Sequence, residues 1–318
     1  MPPTFIKGSS ASCGLIHTIE KAKENSFLPF AALLGVQALF GSLPVIAKVV
    51  LASVPAMSLV GLRVAITAIV LLAVQAFRGR IRLKERYDYL RLAVLSIFGV
   101  TLNQLFFIGG LARTTASNAS LLAVTIPIFA ITVGVIAGTE RLRIAKAAGI
   151  LIAMAGVLLI IDPRNASFSS DTTRGDLMII LNSFCFGTYV ATSKNVVLRN
   201  GPFRSMMWVF IFAAVVCVPL GISAFAEAAP AAISTKVWVL VLYIGIGATA
   251  VPYLLNAWAI QHVDPSTLAI FIYLQPIIGV LLAAVFLGER LRPSFILATA
   301  LIFAGVALVT RKFVPSET

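Results

Sequence analysis

Charge is what this chain has least of. Only 12% of its 318 residues are Asp, Glu, Lys or Arg, and 59% are apolar. A soluble domain carries about 25% charge and roughly 45–50% apolar residues. Too few charges remain to clothe a water-facing surface, which excludes a soluble enzyme and makes lipid the natural solvent for most of the exterior. Cysteine is also scarce. Cys13, Cys185 and Cys217 form an odd set with no CxxC or Cys/His spacing, so neither a disulfide framework nor a zinc site is expected. The two histidines, His17 and His262, lie in a tail and at a loop edge, where they suggest neither a metal site nor a catalytic triad. Glycine-rich phosphate loops are absent, no enzyme constellation emerges, and no cofactor is expected. No apolar run of signal-peptide length precedes Phe27, so residues 1–27 read as a cytoplasmic tail rather than a cleaved leader.

What charge there is has one sign. The net charge is +13, which by itself would raise nucleic acid as a partner. Placement argues otherwise. The densest cluster, Arg78, Arg80, Arg82, Lys84, Arg86 and Arg91, stands between two apolar stretches, where basic residues hold a loop on the cytoplasmic side. No nucleic-acid partner is expected; membrane lipid and a small-molecule substrate are.

The apolar residues fall into ten stretches of spanning length, near 28–50, 57–77, 89–111, 116–138, 144–161, 176–197, 205–225, 237–259, 265–287 and 293–311. The expected fold is an all-α integral membrane protein of ten transmembrane helices. Alternating ten-residue segments, the mark of a membrane barrel, are missing. With the N-terminus inside, the inner segments collect Lys7, Lys21, Lys23, the basic cluster, Arg141, Arg143, Lys146, Lys194, Arg199, Arg204, Arg311 and Lys312. The outer ones hold only Arg113, Arg164, Arg174, Lys236, Arg290 and Arg292. The bias places both termini in the cytoplasm, in a cell inner (plasma) membrane.

The chain also matches itself. At an offset of 149, Pro127 falls on Pro276, Glu140-Arg141-Leu142-Arg143 on Glu289-Arg290-Leu291-Arg292, and Ala155-Gly156-Val157 on Ala304-Gly305-Val306. A weaker match at 146 pairs Phe40-Gly41-Ser42 and Lys48 with Phe186-Gly187-Thr188 and Lys194. The implied organisation is a tail at 1–27, a first repeat at 28–161, a linker at 162–175, a second repeat at 176–311 and a tail at 312–318. Five spans per copy is an odd number, so the second copy is threaded in the opposite sense. Two inverted five-helix repeats are the arrangement of carriers, with the substrate near the midplane at their seam.

Phe-Gly-Ser in the first span, Asn103-Gln104 in the third, and Thr115-Ala116-Ser117 leading into a fourth span with Pro127 and a Glu-Arg-Leu exit resemble the drug/metabolite transporter superfamily. The EamA permease family, with two tandem five-helix repeats, is the closest type, and the resemblance covers about residues 28–311. Its strongest signals are the paired exits from Gly138 to Leu142, with an extra Thr139, and from Gly288 to Leu291. The resemblance implies a ten-helix basket whose central cavity moves small metabolites, often outward. Amino acids or related compounds are the first expectation. A sugar-phosphate or nucleotide-sugar exchanger would need several cavity lysines or arginines, and a non-transporting scaffold would show no flux.

Polar side chains inside spans either bond to a neighbouring helix or line a wet cavity. The set is Gln37, Ser42, Asn103, Gln104, Asn182, Tyr189, Tyr253, Asn256, Tyr273 and Gln275. Gln37, Asn103, Tyr189, Asn256 and Gln275 are the expected substrate contacts, with Tyr253 and Trp258 as aromatic wall. Arg63, two turns inside the second span, is the costliest residue, on the order of 2.5–3.5 kcal/mol at a helix centre. It either anchors an anionic group of the substrate or snorkels to the interface. Pro44, Pro127 and Pro276, with Gly41 and Gly187, are hinge candidates or plain packing features. Glu140 beside Arg141, and Glu289 beside Arg290, read as interfacial ion pairs. The first and sixth spans are expected to hold no buried carboxylate or histidine, which disfavours a proton antiporter.

Overall fold

The computed structural model describes residues 11–138, 144–161, 170–228, 233–259, 274–289 and 293–310. Among these residues there is no strand. Five helical stretches are long and apolar enough to cross a membrane: Leu28–Leu51, Ala56–Arg78, Arg86–Leu111, Pro202–Ala228 and Thr235–Leu255. Large apolar side chains such as Phe77, Ile69, Val215, Ile222 and Val285 stand on the outside, a surface that lipid tolerates and water does not. The chain is an all-α, multi-pass membrane protein.

Helix α1 runs Ala11–Leu51. It reaches back through residues expected to be a tail, since no proline precedes Pro29 within the helix. Helix α2 is Ala56–Arg78, with Gly79 at φ 110° ending it. The next crossing is not a single α-helix. It consists of α3 (Arg86–Ser96), a π-helical turn (Ile97–Thr101) and α4 (Leu102–Leu111). The stretch from 116 is broken likewise, into α5 (Ala116–Leu122), a 3₁₀ turn (Ala123–Thr125) and α6 (Ile126–Ile136). Pro127 opens α6, where its missing N–H costs nothing because first-turn donors are unpaired anyway. Then come α7 (Ile144–Ile161), α8 (Asp171–Asn200) and α9 (Pro202–Ala228). A second interrupted crossing follows: α10 (Thr235–Leu242), a π segment (Tyr243–Ala250) and α11 (Val251–Ala259). Helices α12 (Leu274–Leu287) and α13 (Pro293–Thr310) complete the described chain. The two π segments begin at Ile97 and Tyr243, 146 residues apart; that is the spacing at which Gly41 and Gly187 align.

Packing follows the same spacing. Helix α1 lies against α11 and α12, and α8 lies against α4 and α6. Gly41 and Gly187 each sit at a close approach of backbones. A Cβ on Gly41 would stand 2.9 Å from Gln275 O and from Ile278 Cγ2. One on Gly187 would stand 2.8 Å from Ala130 N and Phe129 Cβ, and 3.0 Å from Ile126 O. Residues 126 and 129 align with 275 and 278 at the offset of 149, so each glycine meets the same place in the other copy. Helices α2 and α9 pack antiparallel. Met57 O, near the start of α2, would lie 3.2 Å from a Cβ on Gly221 of α9. At the other end Arg78 sits 4.1 Å over the Phe203 ring. Leu59, Val64, Ile108, Met207, Phe210 and Ile244 are fully buried in the core between these helices.

Candidate functional site

Inside the helices, polar groups gather where α2 meets both interrupted crossings. Arg63 is 3% exposed. Its Nε donates to Thr249 Oγ1 at 2.6 Å, and its Nη1 donates to Gln104 Oε1. Snorkelling is therefore not what this arginine does: the guanidinium points into the bundle rather than along the helix to an interface. The Thr249 hydroxyl in turn donates to Ile244 O at 2.7 Å, five residues back. A π segment weakens the regular i→i−4 ladder and frees carbonyls, and side chains meet them here. Thr67, one turn beyond Arg63, donates to Gly245 O at 3.0 Å. Thus α2 binds the π segment of the second crossing at two points.

From Gln104 the chain of bonds continues. Its Nε2 donates to Asn103 Oδ1 at 3.3 Å, and Asn182 Nδ2 of α8 donates to Asn103 O at 2.9 Å. Tyr253 stands one turn after Thr249 on the same crossing, and its ring takes edge contacts from Phe40 at 5.8 Å and Phe210 at 5.1 Å. Tyr189 is buried, with its hydroxyl 3.7 Å from Met206 Sδ and its ring against Gly99 of the first π turn. Beside Phe40, Ser42 donates to Leu39 O, leaving the Tyr243 hydroxyl to donate to Ser42 Oγ at 2.8 Å.

Of the expected contacts, the fold thus brings Arg63, Asn103 and Tyr253 into one neighbourhood and sets Tyr189 beside it. Gln37 is buried one turn before Phe40 and Gly41, with no partner for its Oε1 among the described residues. Gln275 is half-buried in the first turn of α12, where its carbonyl meets Gly41. The side chains of Asn256, Trp258, Pro127 and Pro276 lie outside the described residues, as do Glu140, Arg141 and Arg290. Pro44 lies within the continuous helix α1. Thr249 was missed by the sequence reading. An available signal pointed to it, since it aligns with Asn103 at the offset of 146.

The turn between α4 and α5 is held by charged groups from α1, from α8 and from the turn after α12. Lys48 Nζ donates to Leu111 O at 2.7 Å and Thr114 O at 2.6 Å, a cation at the carbonyl end of a helix. Glu289 accepts from Ala116 N at 2.8 Å and Ser117 N at 3.0 Å, an anion at an amide end. Gly288, at φ 65°, turns the chain so that Glu289 reaches that position. The two Glu289 oxygens accept from backbone N–H groups of a neighbouring helix, while its expected ion-pair partner, Arg290, lies outside the described residues. Asp176 corrects an expectation. It is 2% exposed within α8, so that helix does hold a buried carboxylate. Asp176 accepts from Thr114 Oγ1, and from Asn118 Nδ2 at 3.3 Å. The span boundary drawn from hydropathy had set it at the very edge.

At the other end, Arg199 joins Asp88 at 2.6 Å and Glu85 at 2.8 Å, and Asn200 Nδ2 donates to the second Asp88 oxygen at 2.8 Å. Trp208 Nε1 donates to Ile81 O at 3.0 Å and Arg204 Nε to Arg80 O at 2.9 Å, fixing the loop after α2. An apolar cavity of about 460 Å³ between α5, α12 and α13 includes Leu121, Val280, Phe295 and Thr299 in its lining. The Thr299 hydroxyl already donates to Phe295 O at 2.7 Å, so the named lining offers a polar solute no hydrogen-bond donor.

Comparison with known proteins adds the following. A model of the EamA-like transporter family matches residues 28–162 and again 173–311. An uncharacterized transporter of Archaeoglobus fulgidus is 30% identical over 229 residues, covering 71% of this chain and 77% of that protein. A probable terminal-alkyne amino-acid exporter of Streptantibioticus cattleyicolor is 25% identical over 248 residues, covering 77% and 81%. One solved crystal structure aligns with 91% of this chain and 97% of its own at a TM-score of 0.60 and 22% identity, a likeness of fold.

Proposed function

The chain belongs to the EamA-like transporter family, of the drug/metabolite transporter type, and we propose that it carries small polar or amphipathic metabolites by alternating access. Amino acids or related compounds come first, in keeping with the amino-acid exporter among its relatives. In this reading ten spans form two inverted five-helix halves in the inner membrane, with both termini in the cytoplasm. The solute passes at the seam, where Arg63, Gln104, Asn103, Thr249 and Tyr253 meet. Gln37, Tyr189, Asn256, Trp258 and Gln275 complete the proposed lining, and Gly41, Gly187, Pro44, Pro127 and Pro276 the proposed hinges. No catalytic step is assigned.

One observation carries the reading: the reciprocity of the packing. Gly41 meets residues 275 and 278 while Gly187 meets 126, 129 and 130, and α2 lies antiparallel to α9, which starts 146 residues later. Equivalent contacts of this kind can exchange as one half rocks against the other, opening a fixed site to either side. The test is uptake by purified protein in liposomes against a panel of amino acids and related metabolites, with and without a pH gradient. Saturable uptake of panel members is the expected result; no flux for any member would defeat the proposal. Labelling single cysteines in the loops after α2 and after α9 should show them on opposite sides of the membrane, and labelling from one side would defeat the inverted arrangement.

A further inference from the structure

We infer that Arg63 is the anchor for a carboxylate group on the transported solute, a statement that rests on the transport reading above. The position is the first reason. Seven residues from the start of α2, Arg63 lies about 10 Å along the helix, well inside a hydrocarbon layer about 30 Å thick. A cation there calls for an anion or water. Among the described residues no carboxylate reaches it. Glu85 and Asp88 serve Arg199, Asp176 serves Thr114 and Asn118, and Glu289 serves the start of α5. The charge is thus buried and hydrogen-bonded, yet unmatched among the described residues.

The geometry supplies the second reason. A guanidinium offers five N–H donors in a planar fork that fits a carboxylate with two parallel bonds. Only Nε and Nη1 are engaged, both by neutral oxygens, and no acceptor among the described residues meets Nη2. On release, Thr249 and Gln104 each keep one other hydrogen bond, to Ile244 O and to Asn103 respectively, and Gln104 Oε1 is left free to accept from the solute. They also belong to the two π-interrupted crossings, one on each side of the seam, so a solute drawing Arg63 away uncouples the crossings at the same moment.

The chemistry narrows the class. One guanidinium matches one negative charge, which favours a monocarboxylate over a phosphate dianion; Lys48 is already committed to Leu111 and Thr114. Tyr253, one turn after the Thr249 that Arg63 bonds, packs edge-on against Phe40 and Phe210, an aromatic group that suits an apolar remainder. A second group on the solute finds an acceptor in Gln37 Oε1, buried and unpartnered on the face of α1 that carries Phe40.

The test uses the full-length protein in liposomes and two matched pairs of probes, L-phenylalanine with L-phenylalaninamide and 3-phenylpropionate with 3-phenylpropionamide. Flux of each labelled acid is measured, with the unlabelled acid or amide as competitor. The acid should compete at least tenfold better than its amide in both pairs. Arg63→Gln should lose at least tenfold of acid flux, with Arg63→Lys between it and wild type. Equal competition by acid and amide in wild type would overturn the inference and leave the transport reading standing, and so would acid preference retained in Arg63→Gln. No flux of either acid, with other panel members still carried, would overturn the inference alone; absence of flux for every panel member would overturn both. If Arg63→Gln fails to elute as a single species, the wild-type competition decides alone.

Discussion

The ends of the helical bundle and its interior treat charge differently. At the ends, the charged groups described above meet an opposite charge or a helix terminus, with the exception of Asp176, which Thr114 and Asn118 hold. Asp88 has Arg199 and Asn200, Lys48 has the carbonyls of Leu111 and Thr114, and Glu289 has the amides of Ala116 and Ser117. In the interior, the described residues give Arg63 a threonine hydroxyl and a glutamine carbonyl and no carboxylate. Stability explains the first pattern, because an unpaired charge at a packed turn would loosen the loop it holds. The second pattern makes poor sense as glue, since neutral acceptors compensate a buried cation incompletely. It makes sense as a site left electrostatically open for a solute.

That contrast can be broken by substitution, beginning where the effect should be greatest. Asp88→Ala removes the counter-charge of Arg199 from a fully buried position and should destabilise the detergent-solubilised protein by about 3 kcal/mol, read as a drop in melting temperature. A smaller drop than that of the next variants would show that the ends are not held by charge. Gly41→Ala and Gly187→Ala each force a methyl against backbone and should each cost about 1–3 kcal/mol. Their costs should be similar, and a large disparity in paired melts would weaken the reciprocity of the packing. Glu289→Ala strands two amides at the start of α5 and should cost about 1–2 kcal/mol. Glu289→Gln, keeping one acceptor, should recover part of it. Arg63→Met is the sharpest case in the interior: it removes the buried charge but strands Gln104 Oε1, so it should cost no more than about 1–2 kcal/mol while abolishing uptake. Glu85→Gln sets the floor. The Glu85 side chain is 53% exposed, so its pair with Arg199 should matter by less than about 0.5 kcal/mol.

Much of the fold was legible because lipid imposes a simple rule on composition. A run of apolar residues must be helical if it is to span, and Phe27 onward alternates such runs with short polar breaks. Hydropathy does not report how a helix is wound. The π turns at Ile97 and Tyr243 and the 3₁₀ turn at Ala123 sit in sequence as apolar as the rest, and only packing against α2, α8 and α9 selects them. The candidate site was legible in part. Arg63, Asn103 and Tyr253 stood out as polar groups in apolar runs. Thr249 did not, because a threonine is unremarkable in a helix until a cation is set against it. Asp176 was hidden by a boundary, since hydropathy averages over a window and cannot place a carboxylate at one turn's precision.

What the residues alone determined is the solvent, the helical class and the presence of two related copies, all of which follow from local composition and from self-similarity. What the tertiary structure decided is who meets whom. Thr249 comes to Arg63 across 186 residues, and Ala116 to Glu289 across 173. Such pairings depend on how helices stack and where each one is interrupted, and a one-dimensional pattern of polarity carries no distance between its parts.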